Sequence, residues 1–348
     1  METMRAVVYY GKQDVRVQSI PVPCCGADEI RLKIEACAVC GSDLKTYHGG
    51  NPRMNPPVTM GHEFTGVVET VGEKVRGISI GIHIVMATSV SCGQCFYCRR
   101  GWNNLCVDLK PMGFYYPGGM AEYVIIPAAA IQNGHVVKVP PGLVPEHAAL
   151  AEPVSCAVNC VENCRITEQE TVVVIGAGPL GIMNLFVAQE YGAKKTILAQ
   201  REGKRYEAAK QFTCDRLVNT TKEDLAQIVR SETDGLGADC VIVAAPSAQA
   251  QEQAVDLVRK RGRICLFASL PVGMNMLNFD SRKIHYSELN VLGTSDSTAK
   301  HVARALDILQ KPSFPREKLA THLLHFEDIE EAFTIMQSRD GMRVILTP

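Results

Sequence analysis

The stretch that most limits the fold of this chain is Thr171-Val-Val-Val-Ile175 running directly into Gly176-Ala-Gly178-Pro-Leu-Gly181. A continuous β-branched run is typical of a strand buried on both faces, as in parallel sheets. The G-x-G-x-x-G spacing is weak alone. Here it follows such a strand and opens a helix-like segment at 180–191, which is the context that makes it informative. Gly176 makes the turn, Gly178 lets backbone approach a pyrophosphate, and Gly181 allows close helix–strand packing. Pro179 and Leu180 begin the helix, whose free N–H groups face the phosphates. Strand-like runs follow at 195–199, 240–244 and 264–268, with a helix at 203–212 and further helix-like stretches between them. Alternation of this kind predicts an α/β, doubly wound parallel sheet.

An acid ending the second strand, about 20 residues on, would mark an NAD site by bonding the ribose 2′-hydroxyl. That position is Gln200, followed by Arg201-Glu-Gly-Lys-Arg205. Removing the carboxylate and supplying guanidinium groups favours a 2′-phosphate. Arg201 and Arg205 are therefore the expected NADP contacts, with Lys204 secondary, and NADP is favoured over NAD. A solvated basic helix start is the alternative reading, and Glu202 works against the phosphate.

The first 150 residues are different in kind, with short strands at 29–36 and 64–71 broken by Gly and Pro. Within them Cys92, Cys95, Cys98 and Cys106 stand at C-x2-C-x2-C-x7-C spacing. Four thiolates so close can enclose one soft metal ion, zinc first, leaving no position for water. An iron–sulfur run of the C-x2-C-x2-C-x3-C-P type has a shorter last gap and a proline where this chain has Val107. Disulfides are disfavoured because Met1 to Ala6 lead straight into strand-like Val7 to Tyr10 without a signal peptide, so the expected location is cytoplasmic. The 14 cysteines of the chain are then ligands and buried thiols. Cys156, Cys160 and Cys164 recur every fourth residue on one helix face, where buried packing is the favoured reading and a further metal site the alternative.

Charge excludes some partners. With 36 basic and 37 acidic residues and a net charge of −1, nothing points to nucleic acid or to an anionic membrane. No apolar run reaches the roughly 18 residues of a membrane span. The remaining ligand-type residues are scattered: Cys40-Gly-Ser42-Asp43, then His62-Glu63, then Glu152-Pro153. One cysteine, one histidine and acids would suit an open zinc site. Spacing alone does not bring them together, and His62 by itself reads more often as an ordinary structural histidine.

Taken in order, Cys40 to Asp43, Gly61-His-Glu-Phe64, the four-cysteine run, Gly118-Gly-Met-Ala-Glu-Tyr123, Glu152-Pro153 and the glycine loop resemble the zinc-dependent medium-chain dehydrogenases over nearly the full length. Glu152 points to the branch of sorbitol, galactitol-phosphate, butanediol and threonine dehydrogenases. The resemblance implies a GroES-like domain from residues 1–152 and 294–348, with a Rossmann domain at 153–293 inserted. It implies two zinc ions per chain. The catalytic one would be held by Cys40, His62 and Glu152, with Glu63 as a direct or water-mediated ligand, and the structural one by the four cysteines. Asp43 would orient the histidine and Ser42 would pass the alcohol proton. Arg343 would reach the cofactor pyrophosphate. Lys45 stands where many members have the last histidine of the proton relay, and Thr46 replaces a tyrosine of sorbitol dehydrogenase. Further departures are Gly81-Ile-His83 for the usual Gly-Asp-Arg, and Ala244-Ala-Pro246 in place of a Glu-x-x-Gly pattern. The implied reaction is hydride transfer between NAD(P) and a secondary alcohol of a polyol, cyclitol or sugar derivative, phosphorylated or not. Threonine and 2,3-butanediol are competing substrates. A catalytically silent nucleotide-binding or structural protein is the reading from another class. A homodimer or homotetramer is expected.

Overall fold

The computed structural model describes residues 2–348. The chain forms two compact units, one ending at Ser155 and resuming at Asp296–Pro348, the other Cys156–Ser295.

The second unit is a six-stranded parallel sheet. Its spatial order is Arg216–Asn219, Lys195–Gln200, Thr171–Ile175, Ala238–Val243, Val258–Leu266 and Asn290–Gly293. The central strands read as apolar runs because both faces are covered: Val172, Val173, Val174, Val241, Ile242 and Ile264 are fully buried. The helix expected at 203–212 is shorter, Lys204–Ala209. The last long strand starts at Val258, earlier than its apolar run. Arg259 and Arg263 hide it from a hydropathy reading, yet both are neutralised, by Asp239 and Glu170 respectively.

The first unit is mostly antiparallel. Its larger sheet runs Val136–Lys138, His83–Met86, Glu63–Val71, Ile30–Ala38, Arg343–Thr347 and Ala320–His325, with Tyr123–Ile126 also on Ile30–Ala38. A smaller sheet pairs Asp14–Pro21, Thr3–Gly11 and Val58–Thr59. Ile30, Leu32, Ile34, Phe64, Val68 and Leu346 form one core between these strands and the Ile329–Ser338 helix. One register decides the site: Ala38 pairs with Glu63 and Cys37 with Phe64, while Leu346 pairs with Cys37 on the other side. The exit of one strand, the entry of the second and the start of the third therefore meet.

Candidate active site

Cys40 leaves the Ile30–Ala38 strand and caps the Gly41–Gly49 helix, a short helix that no apolar periodicity announces. Its backbone N–H donates to Asp43 Oδ2 at 2.9 Å. The other oxygen of the same carboxylate, Oδ1, lies 3.6 Å from His62 Nδ1. Asp43 is thus held by the helix start and stands behind the imidazole, the place carboxylates take behind ligating histidines. Sγ of Cys40, a ring nitrogen of His62 and a carboxylate oxygen of Glu63 lie within 4.8 Å of one another. Ser42 Oγ is 3.4 Å from His62 Nε2. Glu63 is 1% exposed and its partner in an ion pair is Arg343, 4% exposed. Arg343 arrives because Val39 N–H donates to Val344 O at 2.9 Å, pinning the last strand beside Cys40.

The charges in this pocket fit a cation. Burial resists ionisation of Cys40, but His62 and Arg343 outweigh it and bring the thiol down to about 6. Burial also opposes a charge on His62, and the negative Asp43 and Cys40 overcome it, raising the imidazole well above its usual range. A thiolate, a carboxylate and an imidazole that pull a proton between them are the donor set of an open zinc site.

The four-cysteine run folds into a separate closed lobe. Cys95 Sγ is 3.4 Å from Cys98 Sγ and 3.9 Å from Cys106 Sγ, and Cys92 Sγ is 4.0 Å from Cys98 Sγ. A tetrahedral Zn–S distance of about 2.3 Å gives sulfur–sulfur edges of about 3.8 Å, so the lobe is sized for that ion. Cys106 Sγ accepts from the N–H groups of Cys92 and Asp108 at 3.2 and 3.3 Å. Hydrogen bonds from the N–H groups of Cys98 and Val107 bring the Cys95 thiol down to about 6, while burial pushes Cys106 up to about 12.

In the other unit, Gly176 turns with φ of +107°. A side chain on Gly181 would meet Gly176 O at 1.8 Å, so strand and helix are in direct backbone contact there. At Gly178, the N-cap of the Pro179–Glu190 helix, a Cβ would meet nothing within 4 Å. That is an open cradle at a helix N-terminus, suited to a pyrophosphate.

Residues 26–141 match the alcohol dehydrogenase GroES-like domain, and residues 179–311 match the zinc-binding dehydrogenase domain. The chain is 32% identical to a sorbitol dehydrogenase of Halalkalibacterium halodurans, covering 99% of both chains. The chain belongs to the zinc-binding alcohol dehydrogenase family. An L-threonine 3-dehydrogenase of Pyrococcus abyssi is 33% identical over 98% of this chain and 97% of its own. Among solved structures, a zinc-binding dehydrogenase target from Sinorhizobium meliloti 1021 bound to NADP superposes with a TM-score of 0.91 at 28% identity, with full coverage of both chains. An Escherichia coli CFT073 alcohol dehydrogenase complexed with NADH gives 0.89 at 29% identity, again with full coverage.

Two residues of this zinc-binding dehydrogenase have neighbours of their own in this structure. Glu152, expected as a ligand, is not in the Cys40 group. It opens the Ala151–Asn163 helix, and its carboxylate lies within 4.8 Å of Asp296. Arg343, expected to serve a pyrophosphate, is buried against Glu63. The cofactor residues are also held in particular ways. Gln200 Oε1 accepts from Ala177 N at 2.8 Å and its Nε2 donates to Arg201 O at 3.2 Å, so the side chain braces the glycine loop. Glu202 is neutralised by Lys222 at 2.6 Å. Arg201 is exposed and Arg205 half-buried on the Lys204–Ala209 helix. Lys45 is exposed on the Gly41–Gly49 helix, whereas Thr46 is buried. Sequence reasoning missed Phe114, whose ring centroid is 5.2 Å from that of His62, and Arg53, whose guanidinium lies over Phe114. Neither belongs to a spaced motif, so no sequence signal marks them.

Proposed function

We propose that this dehydrogenase transfers hydride between NADP(H) and a secondary alcohol or ketone of a polyol, cyclitol or sugar derivative. The observation that carries it is the convergence of Cys40, His62 and Glu63, with Ser42 Oγ beside His62 Nε2 and Asp43 behind the ring. Two zinc ions per chain belong to this reading. Cys40, His62, Glu63 and Glu152 would hold the catalytic ion, and Cys92, Cys95, Cys98 and Cys106 the structural one. The close Glu152–Asp296 pair supports a role for Glu152, since neighbouring carboxylates repel unless a cation or proton joins them. When bound, the catalytic zinc supplies Lewis-acid polarisation of the substrate oxygen. The protein does the rest. Ser42 takes the alcohol proton outward, Asp43 fixes the imidazole, and Arg343 holds the Glu63 carboxylate. Lys45, exposed on the same helix as Ser42, is available to accept the proton or to meet a phosphorylated substrate.

Polyols are favoured by relatives named sorbitol dehydrogenase and erythritol/L-threitol dehydrogenase, 32% and 31% identical. Threonine is the second reading, favoured by the 33% identical relatives named L-threonine 3-dehydrogenase. NADP preference is supported by the missing acid at Gln200, by the Glu202–Lys222 pairing, and by Arg201 and Arg205. A cytoplasmic location is supported by 14 cysteines without a disulfide. No helix among the described residues is long and apolar enough to cross a membrane. A homo-oligomer is supported by the edge strand Asn290–Gly293 and by the exposed Val272, Met274, Met276 and Tyr286 of the same unit.

A panel of polyols, cyclitols, sugar phosphates and threonine, each with NADP and NAD, tests this reading. A polyol-type substrate with NADP should give the highest kcat/KM. Replacing Arg201 and Arg205 together by Ala should lower the NADP-to-NAD ratio about 10- to 100-fold, the equivalent of one or two charged hydrogen bonds. Threonine turnover above every polyol, or equal efficiency with NAD, would overturn the corresponding part.

A further inference from the structure

The Cys156–Ser295 unit contains a second gathering of thiols that the dehydrogenase reaction does not use. Cys160 lies in the last turn of the Ala151–Asn163 helix, and Cys164 follows one turn later, tied by its N–H to Cys160 O at 2.9 Å. Cys265 comes from the Val258–Leu266 strand, and its Sγ is 3.4 Å from that of Cys160. The Sγ atoms of Cys160, Cys164 and Cys265 all lie within 4.8 Å of one another. Cys240, on the adjacent Ala238–Val243 strand, joins them by a side-chain hydrogen bond with Cys164. The parallel register explains its presence: Ile242 is opposite Cys265 and Cys240 opposite Arg263, so Cys240 and Cys265 point to the same face of the sheet. All four are fully buried.

Simple packing does not require this arrangement. A core position wants volume and apolarity, and most other buried positions of this sheet supply them with Val, Ile, Leu or Ala. Cys160, Cys164 and Cys265 instead share one property with the Cys92–Cys106 lobe: their Sγ atoms all lie within 4.8 Å of one another. The surroundings suit a cation as well. The carbonyl end of the Ala151–Asn163 helix is negative.

We infer that Cys160, Cys164 and Cys265, with Cys240 as fourth donor, form a thiolate site for a soft divalent cation, zinc first, sealed inside the nucleotide-binding unit. All-sulfur donors select such an ion over Mg²⁺ or Ca²⁺. A fully buried set leaves no position for water or substrate, so the role is to tie helix to sheet behind the glycine loop.

The site is independent of the catalytic and structural assignments above, and the test separates them. Full-length protein produced with zinc in the medium is compared by elemental analysis with a Cys160→Ala/Cys265→Ala double variant. The variant should lose about one zinc ion per chain, as one closed site requires. Cys40→Ala and Cys98→Ala, measured alongside, report on the other two sites. Wild-type crystals grown with zinc provide the check that needs no variant: anomalous scattering at the zinc edge should show a peak between the Sγ atoms of Cys160, Cys164 and Cys265. No anomalous peak there, an unchanged zinc count in the double variant, or a disulfide joining Cys160 to Cys265 would each overturn the inference.

Discussion

The Cys92–Cys106 lobe and the Cys40–His62–Glu63 pocket both gather thiols, but they are built from opposite materials. The lobe draws four sulfurs from 15 consecutive residues. Its Sγ atoms stand at near-tetrahedral spacing and its N–H groups point at sulfur. The pocket draws one sulfur, one nitrogen and one oxygen from two strand ends, and surrounds them with Ser42, Asp43 and Arg343. A closed set of like donors has no vacancy for chemistry. A mixed set backed by second partners can keep one open, and its groups are held in charge states that a substrate would feel. On the proposed function, the difference separates holding a loop from handling an alcohol.

The largest effect that could break this comparison is on turnover. Cys40→Ser should lower kcat/KM by on the order of 10³-fold, the equivalent of the several kcal/mol a catalytic metal supplies. Thermal stability should stay close to wild type. A variant that kept its rate but melted early would mean the two assignments are reversed.

Next in size is Cys98→Ala. Losing a closed metal site should lower the melting temperature by about 5–10 °C, a few kcal/mol in a domain of this size. The folded fraction should still turn over substrate. Differential scanning calorimetry together with kinetics on the same sample reads both quantities. Unchanged melting with abolished turnover would sink the idea that this lobe is purely structural.

The smallest effect sharpens the lobe's own chemistry. His135 is buried, Nε2 accepts from Ser91 N at 3.2 Å, and Nδ1 donates to Ala87 O at 3.1 Å. That pattern needs the neutral ring, and burial holds its pKa below the ordinary value. Protonation therefore favours the unfolded chain. The contribution is complete above the unfolded-state value of about 6.5 and is lost as pH falls through the lower folded value. His135→Gln should flatten the acid side of the melting profile by about 2 °C between about pH 7 and about pH 5. An acid limb identical in the variant would show that other groups carry it.

Much of this was legible before the structure. The strand–glycine–helix junction, the four-cysteine spacing and the order of the motifs are local patterns, and each met the expected element. Local legibility failed where a residue's partner is far away in sequence. Glu152 carries the family's ligand position, yet it sits by Asp296, while Glu63 lies beside Cys40 because Ala38 pairs with Glu63 in the sheet. Arg343 came from the far end of the chain to the same pocket through a single strand register. The basic Val258–Leu266 strand was disguised because its arginines are neutralised by acids elsewhere in the chain.

The glycine loop, the gathering of four sulfurs in one lobe and the membership in a family of zinc-binding dehydrogenases are all written in short stretches of sequence. All three rest on spacings of a few residues, over which backbone geometry leaves little choice. The meeting of Glu63 with Cys40 and His62, the place of Arg343, and the gathering of Cys160, Cys164 and Cys265 in one core come from the folded chain alone. Those are matters of strand register and helix docking, and a shift of one residue would turn each of these strand side chains to the opposite face.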